Sequence, residues 1–147
     1  MSVLKNHNEG RVLAIDYGSV RTGIAMSDPL RIIAQGFGTI HNSPNAIETI
    51  IFIVQEKEVS LIVVGLPLTL KGEKGMKSDE VDIFIKQLRA KTSVEVVQWD
   101  ERFTSRMAQQ SILAMGTKKK KRQTNKGKID EVAATILLQS FLDQTVR

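Results

Sequence analysis

The sequence predicts an α/β fold built on a five-stranded mixed sheet, and three observations carry that reading. Apolar runs of strand length occur at residues 11–16, 59–65 and 94–99. A segment with helical spacing precedes each of the last two runs, and such crossovers imply parallel pairing with helices covering the sheet. The first run leads instead into two extended segments joined by short turns, which is the pattern of an antiparallel meander. The predicted order is β-β-β-α-β-α-β-α-α, with no internal repeat and no second domain.

Each element has its own warrant. Residues 11–16 read as a buried strand, because Val12-Leu13-Ala14-Ile15 is uninterrupted. Residues 22–27 return after a turn at 17–21. Residues 31–40 form a third strand, broken by Gly36 and Gly38. Ser43 and Pro44 suit the N-cap and first position of a helix, and Ile47, Ile50, Ile51 and Val54 follow at helical spacing. Residues 59–65 resemble a central parallel strand. Ser78 is placed to cap the next helix, whose apolar face is Val81, Phe84, Ile85 and Leu88. Residues 94–99 are the last strand. A helix from Thr104 to Met115 stops at Gly116. The final helix is expected from Lys128 to Leu142, with Ile129, Val132, Ala133, Ile136, Leu137, Ser140 and Phe141 on one side.

A length of 147 residues and a hydrophobic share of 41% suit one domain with a real core. The expected division is a flexible tail at 1–10 and a single domain at 11–147. With no cysteine there is neither a disulfide framework nor a thiolate metal site. Residues 1–10 lack a signal-peptide core, and no apolar stretch reaches the roughly 20 residues needed to span a bilayer. A cytoplasmic protein with no membrane partner is therefore expected.

The charge is uneven. Lys and Arg total 21 against 16 Asp and Glu, a net +5. Residues 117–128 hold seven of those bases and no acid, leaving 14 bases against 16 acids elsewhere. The bases are Lys118, Lys119, Lys120, Lys121, Arg122, Lys126 and Lys128. Such a local cluster beside a near-neutral body suits a polyanion such as nucleic acid. A solvated loop is the plainer alternative. Aromatic residues are only 5% of the chain, so a broad base-stacking platform is not expected; backbone and shape recognition is.

Three acidic positions stand where chemistry collects in an α/β sheet. Asp16 ends the first strand, Asp100 and Glu101 follow the fifth, and Asp130 falls in the first turn of the last helix. Carboxylates at buried strand ends need partners. Hard oxygen ligands suit Mg2+ or Mn2+, and paired ions of this kind cleave phosphodiesters. Each position also has a plain explanation: a turn-starting Asp, a charged loop, and an acid complementing a helix dipole. Arg21 and Arg102 adjoin these motifs, and guanidinium forks suit phosphate oxygens. Gly18 and Gly23 leave room for a tight turn, a phosphate or a second strand.

In register, these motifs resemble the YqgF or RuvX-type family of Holliday junction resolvases. The residues are Asp16-Tyr17-Gly18-Ser19-Val20-Arg21-Thr22-Gly23-Ile24-Ala25-Met26-Ser27-Asp28; Gly65-Leu66-Pro67-Leu68 with Gly72; Asp100-Glu101-Arg102-Phe103-Thr104; and Lys126-Gly127-Lys128-Ile129-Asp130 leading into Ala133-Ala134. The match runs from about Arg11 to Leu142. Two departures are Lys71, where the family often has Asp or Asn, and a longer lysine run at 118–122.

The resemblance implies a ribonuclease H-like fold and a nuclease dependent on Mg2+ or Mn2+. It implies action on branched DNA or on the 5′ end of pre-16S rRNA, with pre-ribosomal particles as partners in the second case. The implied acidic triad is Asp16, one of Asp100 and Glu101 (with Glu101 preferred), and Asp130. A two-fold junction would favour a homodimer by symmetry. A non-catalytic RNA-binding protein of the same fold is the rival reading. Actin-like ATPases share an Asp-Gly turn but need two such domains.

Overall fold

The computed structural model describes residues 10–66, 76–101, 110, 112, 114 and 126–145. Strands β1 (Arg11–Asp16), β2 (Arg21–Ser27) and β3 (Ala34–His41) form the meander. Helix α1 (Ala46–Glu56) leads to β4 (Val59–Leu66), and α2 (Met76–Lys91) leads to β5 (Glu95–Asp100). Helix α3 spans Lys126–Thr145. The sheet order is β3-β2-β1-β4-β5. β1 pairs antiparallel with β2, and β2 with β3, whereas β1–β4 and β4–β5 are parallel. The five-stranded mixed sheet read from the sequence is the one observed.

The two faces of the sheet differ in bulk. Leu13, Ile15, Ile24, Ile62 and Val64 pack against α1 and α2 through Ile50, Val54, Val81, Ile85 and Leu88. The opposite face offers Val12, Ala14, Ala25, Ala34 and Val63 to Ala134, Leu137, Leu138 and Leu142 of α3. Strand alternation sorts side chains this way, because successive residues point to opposite faces. Small residues under α3 let that helix lie close to the sheet.

Several boundaries differ from expectation for local reasons. β3 begins at Ala34 rather than 31, because the Asp28 carboxylate accepts hydrogen bonds from the backbone N–H groups of Leu30, Ile32 and Ile33 and curls 28–33 into a loop. β3 runs on as one strand, and the expected break at its glycines is a bulge: Ile24 pairs with Gly38 and Ala25 with Gly36, which leaves Phe37 as the extra residue. Helix α1 starts at Ala46 after Asn45, since Ser43 accepts N–H bonds from Asn45 and Ala46 and builds a turn first. Ser78 lies within α2, which begins at Met76.

Helix α3 begins at Lys126, so Asp130 lies past the first turn, which holds no acid. Its buried face is also rotated from the expected one. Ile129 is 64% exposed, while Ala134, Leu137, Leu138 and Leu142 are buried. The stretch 132–138 is apolar on most sides, so periodicity did not select a face; contact with the sheet does. Residues 1–9 and most of the expected 104–115 helix lie outside the described residues, although Gln110, Ile112 and Ala114 are helical.

Candidate functional site

β1, β4 and β5 run parallel, so their carboxyl ends share one edge of the sheet. Asp16 is the last residue of β1 and pairs directly with Gly23 of β2. Val12 and Ala14 face α3, so alternation turns Asp16 toward α3 as well. On the other side of β1, Ile15 pairs with Val64, which makes Gly65 the neighbour of Asp16 on β4. Asp16 therefore stands between two glycines on the α3 face.

Both glycines are occupied by what they admit. A Cβ on Gly23 would collide with the backbone carbonyl of Asp130 and lie 3.2 Å from the Asp130 Cβ. One on Gly65 would collide with Leu137 and lie 2.9 Å from Glu101 Oε1. Two absent side chains thus seat the other two acidic residues beside Asp16. Gly23 receives a helix backbone here, where the sequence suggested a phosphate or a second strand.

The same alternation separates Asp100 from Glu101. Val97 and Trp99 pack on the α3 face and Val96 on the other, so Asp100 follows Val96. Glu101 lies over Gly65 on the side of Asp16.

Asp130 has a partner that sequence reading did not assign to it. Arg21 Nε donates to Asp130 Oδ2 at 3.2 Å, and each side chain is 29% exposed. The partner expected for Arg21 from sequence was a phosphate oxygen. As an aspartate-rich donor set, the site suits a hard divalent cation. Its arrangement does not form such a site: among the described residues, no three acidic or histidine side chains make a group that could hold a metal ion.

The turn after Asp16 is fixed by a residue that no motif singles out. Asn42 donates its amide to the Gly18 carbonyl at 2.8 Å and its backbone N–H to Val20. Thr22 Oγ1 accepts from the Gly18 N–H at 3.4 Å. Asn42 reads as a turn residue, and only the β2–β3 pairing brings it to this loop. Arg102, Lys118, Lys119, Lys120, Lys121 and Arg122 lie outside the described residues. Lys126 and Lys128 are on the backbone of α3, with side chains outside the description. A cleft of about 470 Å³ lined by Tyr17, Asn42, Glu80 and Phe84 opens on the α1–α2 side, across the sheet from the carboxylates.

A family model described as "RuvX: Holliday junction resolvase" matches residues 10–144. The chain belongs to the RuvX family. A Bacteroides fragilis protein named "Putative pre-16S rRNA nuclease" is 40% identical over 90% of this chain and 96% of its own length. A Chloroflexus aurantiacus protein of the same name is 43% identical over 92% of this chain and 88% of its own. Among solved structures, T. thermophilus RuvC in complex with a Holliday junction substrate matches with a TM-score of 0.60. That match covers 92% of this chain and 96% of RuvC at 10% identity, a likeness of fold alone. The RuvX chain is thus ribonuclease H-like, as its sheet order and its α3-covered face indicate. No helix among the described residues is long and apolar enough to cross a membrane.

Proposed function

We infer that this RuvX-family chain is a metal-dependent nuclease that hydrolyses phosphodiester bonds in structured nucleic acid, acting on the 5′ end of pre-16S rRNA. The observation that carries the reading is the seating of Glu101 and Asp130 by the two glycines that flank Asp16. The close approach that these glycines allow brings the Asp130 backbone and the Glu101 carboxylate to the strands on either side of Asp16. Relatives near 40% identity named as pre-16S rRNA nucleases favour the RNA substrate.

Asp16, Glu101 and Asp130 are the proposed acidic residues, and Asp100 is left on the other face. A divalent Mg2+ or Mn2+ ion, when bound, supplies charge neutralisation and an acidified water. The chain's own residues do the rest. Arg21 offers a fork to a phosphate oxygen at the same edge. The basic run at 117–128 immediately precedes Asp130 in sequence and holds the backbone of a polyanion by charge, with little sequence preference.

The test is a side-by-side cleavage assay on a pre-16S rRNA fragment and a four-way DNA junction, each with Mg2+ or Mn2+. Trimming of the RNA with little junction cleavage supports the reading. Preferential junction cleavage moves the substrate to DNA. Tight RNA binding without cleavage under any metal condition would leave the non-catalytic RNA-binding reading.

A further inference from the structure

Asp16 ends β1 toward α3, and the next residue, Tyr17, packs on the α1–α2 face. There it lines the cleft of about 470 Å³. Its ring leans on Phe84 of α2, with centroids 4.9 Å apart and planes tilted by 52°. Gln87 and Ile83, the latter 58% exposed, continue the α2 wall, and residues leading into α1 complete the lining. The walls are held by the chain's own contacts. The Asn42 amide ties the turn to α1 through the Gly18 carbonyl at 2.8 Å, and Ser19 Oγ donates to Glu80 Oε2 at 3.3 Å, which joins the turn to α2. A pre-formed cleft of this size is in the range of small-molecule sites, and its rigidity lowers the ordering cost of binding.

The chemistry of the lining narrows the occupant. Glu80 is the only charged residue among the described residues that line the cleft. A phosphate is therefore repelled, and a neutral group with N–H donors is favoured. An ionised carboxylate only accepts, and it has acceptor capacity beyond the Ser19 contact. The aromatic and aliphatic side chains beside it suit the flat face of a nucleobase. An exocyclic amino group, as on cytosine, is the donor that a Glu carboxylate accepts in base recognition.

We propose that this cleft takes one unpaired, amino-bearing nucleobase of the substrate, whose backbone crosses the sheet edge at Asp16. This deepens the nuclease reading above and rests on it. Consecutive Cα atoms lie about 3.8 Å apart, so Tyr17 meets the base at the first step from Asp16. A base held there fixes which linkage reaches the edge. Single-stranded segments offer splayed bases and helices do not, so the cleft selects an unpaired tract.

The experiment uses cytidine and uridine, which differ chiefly in one exocyclic group, as free nucleosides on the intact chain without metal. Saturation-transfer NMR titrations give the affinity of each. Cytidine should bind about three- to tenfold more tightly than uridine, the scale of one hydrogen bond. Glu80→Gln, at an exposed position, should bring the two within about twofold, because a carboxamide also donates. Tyr17→Leu should weaken cytidine roughly fivefold or more, with thermal unfolding confirming a folded chain. A saturating pre-16S rRNA fragment should displace cytidine. No binding, equal binding of both nucleosides by the parent, or a preference indifferent to Glu80→Gln overturns the proposal, as does cytidine that the RNA does not displace. The cleavage assay above reads the nuclease separately. Cleavage without nucleoside binding removes the cleft alone. Displaceable cytidine binding without cleavage keeps the cleft and removes the nuclease reading.

Discussion

Arg21 opens β2 and Arg31 follows its far end, and the chain holds the two arginines in opposite ways. Arg31 is 7% exposed. Its Nε donates to the Gly10 carbonyl at 2.9 Å and its Nη2 to Ser60 Oγ at 3.0 Å. Burial lowers its pKa and the Glu95 charge opposes that shift, so it stays protonated. Its backbone sits at φ 59, a left-handed conformation that costs a branched-out residue about 1–2 kcal/mol. The Asp28 loop over-determines that conformation, since Arg31 N–H donates to the Asp28 carbonyl at 3.0 Å. Arg21, by contrast, meets Asp130 in an ion pair whose two side chains are nearly a third exposed. The difference teaches that residue type alone does not assign a role. Burial and the number of directed contacts separate a cation that fixes the fold from one that can change partners.

The sharpest way to break this comparison lies beside Arg21. Asp16→Asn should reduce cleavage roughly a hundredfold or more, because several kcal/mol of transition-state stabilisation are at stake. Its urea unfolding midpoint should stay near the parent's. Chelation of divalent metal should match that loss and be reversed by Mg2+ or Mn2+. A variant that cleaves at the parental rate would remove the carboxylate edge from the chemistry.

Arg31→Ala should lower stability by about 1–3 kcal/mol, since it removes a buried side chain and its part-buried hydrogen bonds to the Gly10 carbonyl and Ser60 Oγ. RNA affinity measured by filter binding should be unchanged. Arg21→Ala should do the reverse: below about 1 kcal/mol in stability, with weaker RNA binding. Equal behaviour of the two variants would erase the distinction.

Gly23→Ala probes the seat of Asp130. The added methyl meets the Asp130 carbonyl, so α3 has to shift. A loss of about 1–3 kcal/mol by urea denaturation is expected, as for other overpacked sites, together with reduced cleavage. Unchanged stability would mean that α3 does not lie on this glycine.

The smallest effect belongs to Asp28. Slight burial raises its pKa, but the N–H bonds from Ile33, Ile32 and Leu30 outweigh this and hold it below the ordinary 3.8. Its stabilising share is therefore fully present above that value and is lost as pH falls through the lowered one. Parent and Asp28→Asn should differ in thermal midpoint at neutral pH and converge in acid. A gap that widens on acidification would contradict the shift.

Much of the fold was legible because strand signals are local. Val12 to Ile15 and Val59 to Gly65 read as buried strands from composition alone, and helices before β4 and β5 dictated parallel pairing. Two boundary misreadings share one cause, namely side chains acting on neighbouring backbone. Asp28 gathers three N–H groups and delays β3. Ser43 makes a turn before α1 can begin. The face of α3 was not legible, because apolar residues ring the helix and its orientation follows from glycines on strands far away in sequence. The proposed acidic residues could be named from the sequence, but the Arg21–Asp130 contact could not, since nothing local links those two residues. Glu101 was preferred over Asp100 by resemblance, and strand alternation now supplies a physical reason.

That last distinction gives the most direct test of the account, because it depends on which face of β5 each carboxylate occupies. Single-turnover cleavage of a pre-16S rRNA fragment is measured for Glu101→Gln and Asp100→Asn beside the parent. Glu101→Gln should lose roughly a hundredfold or more in rate, while Asp100→Asn stays within about threefold of the parent. A severe loss in Asp100→Asn with near-parental cleavage in Glu101→Gln would contradict the placement of the site on the α3 face.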